Sequence, residues 1–123
     1  MFVGHGGNDT VIGKDGNYIV CTEKGNDIIT LGSGAATIDA GDGKNTIVTR
    51  DGNKNIKTGS GDDTITTGNG NDAIDAGNGK NTVVSGGGSD TVSTGSGNDT
   101  IDGGPGFDGC NAGGGSNTIV NCP

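Results

Sequence analysis

A single nonapeptide frame governs this chain. It shows most clearly at Thr94 to Asp102, T-G-S-G-N-D-T-I-D, and it runs unbroken from Gly4 to Val120, thirteen copies of nine residues. The fourth place is Gly in every copy, from Gly7 and Gly16 to Gly106 and Gly115. The eighth place is Val or Ile in twelve copies, among them Val11, Ile47, Ile101 and Ile119, and the small residue Cys110 in the other. The sixth place is Asp in seven: Asp9, Asp27, Asp63, Asp72, Asp90, Asp99 and Asp108. A fixed short period of this kind specifies a solenoid in which each repeat buries its apolar residue only against its neighbours.

The pattern within a repeat predicts its shape. Places six to nine, with one aliphatic residue flanked by polar ones, suit a very short strand with one inward side chain. The Gly-rich places one to five suit a turn. Strand and turn then alternate into a flattened coil with two nonapeptides per 18-residue turn. Odd copies stack into one parallel sheet and even copies into the other. Thirteen copies make about six and a half turns, a rod roughly 30 Å long at strand spacing. We read residues 1–123 as one domain, with repeats over 4–120. A longer period is overlaid on the frame: Ala40–Val48, Ala76–Val84 and Ala112–Val120 are similar and 36 residues apart.

Composition narrows the chemistry. The chain has 29 Gly, 27% hydrophobic residues, 2% aromatics and a formal net charge of -8. That charge argues against nucleic acid or an anionic membrane as partner and in favour of cations. No apolar run approaches the roughly 18 residues of a membrane span. Only Met1, Phe2 and Val3 precede the first repeat, so the chain reads as a mature form or a fragment. With so little apolar surface to bury, a bare chain of this composition tends to disorder, and a ligand bound only by the folded form would tip the balance.

The repeated loops suggest that ligand. Six-residue turns that present carbonyl oxygens and end in a carboxylate are hard-oxygen ligand sets, which suit Ca²⁺ with its six to eight oxygens. Zinc is disfavoured, because His5 is the only histidine and no Cys/His cluster exists.

Ser85 to Ser93 (S-G-G-G-S-D-T-V-S) and Gly103 to Asp108 (G-G-P-G-F-D) carry the motif G-G-x-G-x-D-x-U-x. In these residues, and over nearly its whole length, the sequence resembles the calcium-binding β-roll of repeats-in-toxin (RTX) proteins. The resemblance implies an all-β, right-handed parallel β-roll in which several calcium ions lie between loops of successive turns, each shared by copies n and n+2. Carried over copy by copy, it places strong sites between Asp72 and Asp90 and between Asp90 and Asp108 on the even side. The odd series is Asp9, Asp27, Asn45, Asp63, Asn81, Asp99 and Asn117. There only Asp9 with Asp27 is a full carboxylate pair. The Asp/Asn sites should bind more weakly, since Asn offers an oxygen without charge. Tyr18, Ala36 and Lys54 depart from the pattern and should be metal-free, with the Lys54 ammonium near where an ion would sit. Stacked carboxylates repel without a cation between them, so folding should be coupled to calcium.

Places seven and nine face outward. On the odd sheet they read Thr10, Ile28, Thr46, Thr64, Thr82, Thr100, Thr118 and Ile12, Thr30, Val48, Thr66, Val84, Asp102, Val120, a flat face rich in Thr and partly apolar. Three readings of it stand open: strand preference of Thr alone, lateral packing against a partner or second copy, and ice or surface binding by analogy with other solenoids. Cys110 and Cys122 lie twelve apart near the C-terminus. They are either two free thiols or a disulfide stapling residues 103–123, as in the Cys-bearing ends of some secreted β-rolls that this end resembles. A bond would imply an oxidising, extracellular setting. Cys21 is left over at an outward place, as a free thiol or a link to another chain. Solenoid ends expose strand edges, so end-to-end self-association is also expected.

Little in the chain equips it for catalysis, and we expect no enzyme. The expected role is an extracellular structural, matrix or filament-forming protein. The alternatives are a secretion and folding module of a larger toxin or enzyme, and ice or surface binding.

Overall fold

The computed structural model describes residues 1–123. It contains fourteen strands, β1 to β14 in chain order, in two parallel sheets of seven. The even-copy sheet holds β1 (Phe2–Val3), β3 (Tyr18–Cys21), β5 (Ala36–Gly41), β7 (Lys54–Thr58), β9 (Ala73–Asp75), β11 (Thr91–Ser93) and β13 (Gly109–Asn111). The odd-copy sheet holds β2 (Thr10–Ile12), β4 (Ile28–Leu31), β6 (Thr46–Thr49), β8 (Thr64–Thr66), β10 (Thr82–Val84), β12 (Thr100–Asp102) and β14 (Thr118–Val120). Each strand pairs with the one 18 residues away, as in Val83 with Ile101 and Ile56 with Ile74. The one irregularity is a register shift between Asp39 and Gly41. The β-solenoid expected from the frame is therefore the fold. It is half a turn longer than the frame alone predicts, because Phe2 and Val3 pair with Val20 and Cys21 ahead of the first complete repeat. No helix is long and apolar enough to cross a membrane.

The core has two columns per sheet, where the sequence suggested one. Place eight is buried as expected from Val11 to Ile101. Place one, assigned above to the turn, is also buried: Thr22, Leu31, Ala40, Thr49, Thr58, Thr67, Ala76, Ser85, Thr94 and Ala112. Apart from Leu31, these are all small residues. Two expectations for place eight fail near the C-terminal end. Ile119 is 44% exposed on the last strand, and Cys110 is only partly buried against the core.

From Gly25 onward the fourth-place Gly has a steric cause. Gly43 has φ 126°, and a Cβ there would run into the Gly25 carbonyl of the preceding turn. Its N–H meanwhile donates to Ser60 O on the following turn at 2.8 Å. Successive loops are thus stacked backbone on backbone, which brings their carbonyls together along the rod.

Candidate metal centre

The sixth-place side chains form a ladder along the rod. In nine successive links the backbone N–H of a sixth-place residue donates to Oδ1 of the sixth-place Asp or Asn 18 residues later, at 2.7–3.0 Å. Asp9, Asp27, Asn45, Asp63, Asn81, Asp99 and Asn117 follow one another on the odd side. Asp72, Asp90 and Asp108 do so on the even side, where Lys54 supplies the first N–H. The odd and even series belong to different sheets, so each candidate ligand meets only members of its own series.

The second side-chain atom distinguishes the copies. Asn45 Nδ2 donates to the carbonyls of Gly41 and Gly43 at 3.1 and 3.3 Å. Asn81 does the same to Gly77 and Gly79, and Asn117 donates to Ala112 and Gly113. In the aspartates the equivalent atom is an oxygen, which cannot donate. Oδ2 of Asp9, Asp27, Asp63, Asp72, Asp90 and Asp108 is buried with no hydrogen-bond partner. Asp99 is the exception, because the Thr94 hydroxyl donates to its Oδ2 at 2.7 Å. The matching hydroxyls of Thr58 and Thr67 donate to Ala76 O and Ser85 O, and they sit close enough to Asp63 and Asp72 to hold their pKa down in part. Burial raises the pKa of both carboxyls above the ordinary carboxylate value, and for Asp72 the nearby charge of Asp90 adds to the rise.

A buried carboxylate oxygen with no donor requires a proton or a cation. One copy shows where a cation belongs. Lys54 is buried, and its Nζ donates to Gly34 O, Arg50 O, Asp51 O and Gly52 O at 2.8, 2.8, 2.9 and 2.7 Å. These carbonyls come from places two, three and four of its own loop and place four of the loop one turn before. Carbonyls of places two and four also receive the Asn45 and Asn81 amides. The loop is thus a ring of convergent carbonyls with the sixth-place side chain at its edge. Tyr18 packs its ring near Gly13 and Gly16 in the same even series, and Ala36 has no polar atom to contribute.

The donor set fits calcium. It consists of backbone carbonyls and carboxylate oxygens, all hard ligands. Nowhere do three or more His, Cys, Asp or Glu side chains gather, so carbonyls must supply most of the ligands. Bound there, Ca²⁺ would neutralise the carboxylates and bridge successive turns. The residues that would hold it are the sixth-place aspartates with the loop carbonyls beside them.

With this geometry, the sequence comparison has a physical meaning. The RTX calcium-binding nonapeptide repeat matches four segments, residues 2–20, 22–53, 51–83 and 84–119. These cover nearly the entire chain, which belongs to this family of calcium-binding repeats. No curated protein and no solved structure shows significant similarity to it.

Two features of the site escaped the sequence reading. Asn or Asp at places three and five forms further ladders of opposite sense: Asn26 N donates to Asn8 Oδ1, Lys44 N to Asn26 Oδ1 and Ser60 N to Asp42 Oδ1, each 18 residues apart. The recurrence of Asn at place five was the available signal. The second is the hydroxyl of place one, where Thr recurs at Thr22, Thr49, Thr58, Thr67 and Thr94.

Proposed function

We propose that this chain is an extracellular calcium-binding β-roll with a non-catalytic, structural role, and that most of its folding is coupled to calcium. One observation carries the reading: six buried carboxylate oxygens lack a donor beside loops that converge carbonyls. The extracellular assignment is supported by the bond between Cys110 and Cys122, which requires an oxidising compartment. Calcium is also abundant there. The structural role is supported by the rod itself, whose interior is filled by Val, Ile, Ala and Thr, and whose only histidine, His5, is exposed. Far-UV circular dichroism in chelator, followed by a Ca²⁺ titration with Mg²⁺ as control, tests the reading. A β signal that rises with Ca²⁺ and not with Mg²⁺ is expected. A full β signal in chelator would reject it.

The outer face of the odd sheet favours a second role beside the first. Thr64, Thr82, Thr100 and Thr118 are exposed and lie in direct register on adjacent strands. The array is flat and uncharged apart from Asp102, and it supports docking of an ordered surface such as ice or a partner sheet. Thermal hysteresis of the calcium-loaded protein, compared with a Thr82→Lys variant, tests it. No hysteresis in either would remove the ice-binding form of this reading.

A further inference from the structure

We propose that residues 18–58 form a calcium-independent folding nucleus in which the Lys54 ammonium acts as a tethered, built-in cation. The inference rests on the calcium-coupled reading above and says where that coupling stops.

Two independent observations coincide on this segment. The first is chemical. β3, β5 and β7 are consecutive in the even sheet and begin with Tyr18, Ala36 and Lys54, so none carries a carboxylate at the sixth place; Asp15 and Asp51, at place three of their loops, accept from Ser33 N and Asn69 N one turn on. Between them on the odd side, Asn45 satisfies its own amide. Asp27 holds the one donorless carboxylate oxygen between residues 18 and 58. The second observation is the backbone. β3 to β7 have four, four, six, four and five residues, whereas every other strand has two or three. The ladder is longest where every loop but that of Asp27 is without a donorless carboxylate.

Lys54 supplies the link between turns that an ion supplies elsewhere. Gly34 lies on one turn, and Arg50, Asp51 and Gly52 lie on the next. Four carbonyl oxygens face Nζ, a setting that suits the three N–H donors of an ammonium, one of them shared, and opposes the lone pair of a neutral amine; burial lowers the Lys54 pKa, and the nearby Asp72 and Asp51 charges work against that. Being tethered, this cation is present at any calcium concentration. Beyond residue 58 the pattern reverses. Strands shorten to three residues, and Asp63, Asp72, Asp90 and Asp108 each leave an oxygen without a donor. Calcium would then extend the roll outward from the nucleus instead of switching the whole chain at once.

Hydrogen exchange read by mass spectrometry on the full chain tests this. In chelator, amides of β3 to β7 should exchange at least about tenfold more slowly than those of residues 64–111, and calcium should remove the contrast. Lys54→Asp should abolish the protection in chelator and regain it in calcium with a higher bound-metal count. Asn45→Asp, a second route to the same end, should weaken protection in chelator and leave it intact in calcium. Uniform protection in chelator would overturn both the nucleus and the calcium-coupled reading. Uniform exposure in chelator would overturn the nucleus alone. Protection that survives Lys54→Asp in chelator would overturn the role of Lys54. So would loss that calcium does not restore, since Lys54 would then be a packing element and not a substitute for an ion.

Discussion

The backbone N–H of Asp72 donates to Oδ1 of Asp90, one turn along the rod, at 2.8 Å, and Oδ2 of the same Asp90 is buried without a partner. One carboxylate therefore has two separable jobs: it joins turns through one oxygen and requires a cation through the other. Asp90→Asn keeps the first and removes the second, because the amide can donate to the loop carbonyls as Asn45 does. This variant should bind fewer ions and be more stable than the parent in chelator. Asp90→Ala loses both oxygens, leaves the Asp72 N–H unpaired, and should be destabilised by about 1–3 kcal/mol even in calcium. Isothermal titration calorimetry and urea melts separate the two outcomes.

Protons and calcium should compete for the same buried carboxylates of the folded chain. Burial raises the pKa of Asp63 and Asp72 in the folded state, so that state binds their protons more tightly than the unfolded chain does. Without metal, this contribution is fully present below the ordinary carboxylate pKa and is lost as pH rises through the raised folded value. In chelator the far-UV β signal should therefore rise as pH falls from neutrality towards about 4. In calcium the urea midpoint should fall over the same range, since protons displace the ion. A β signal in chelator that falls with acid would show that these carboxyls are not buried as described.

The parts of the structure legible in the sequence are those that repeat strictly. The Val/Ile column, the fourth-place Gly and the sixth-place Asp each leave a period-nine trace, and they give the strand positions, the 18-residue turn and the loop chemistry. The second core column at place one left a weaker trace, because the flattened coil accepts Thr22, Ala40 and Ser85 alike and hydrophobicity does not mark them. The asymmetry of the asparagines was also hidden. The sequence offers Asn45 as a weak ligand, whereas in the fold its Oδ1 accepts from Asp27 N and its amide donates to the loop carbonyls. Lys54 was legible as a departure from the frame, but its four carbonyl partners depend on how one loop stacks over the next.

Stacking of loops backbone on backbone should make the fourth-place glycines from Gly25 to Gly115 intolerant of any side chain. Gly43→Ala would push a Cβ against the Gly25 carbonyl at a φ of 126°, so both sterics and backbone strain oppose it. A loss on the order of 3 kcal/mol is expected. Gly114→Ala is the control. No atom lies within 4 Å of its added Cβ, and the change should shift stability by less than about 1 kcal/mol. Equal effects in calcium melts would mean that loop stacking is not what fixes the frame.

The bond between Cys110 and Cys122 should matter locally. Cys110 lies on β13 at a core place, and Cys122 follows β14, so the link ties the last strands of both sheets across a separation of twelve residues. Closing a loop of that size removes chain entropy worth about 3 kcal/mol from the unfolded state. Reduction, or Cys122→Ser, should therefore speed hydrogen exchange in residues 109–120 while leaving β8 to β10 unchanged, because a solenoid transmits little beyond neighbouring turns. Cys21 is the remaining, unbonded thiol, on β3 at the other end of the rod, and Cys21→Ser should leave both regions as they were. Loss of protection along the entire rod on reduction would show that the C-terminal turn templates the others, and that stability is not the sum of local contacts between turns.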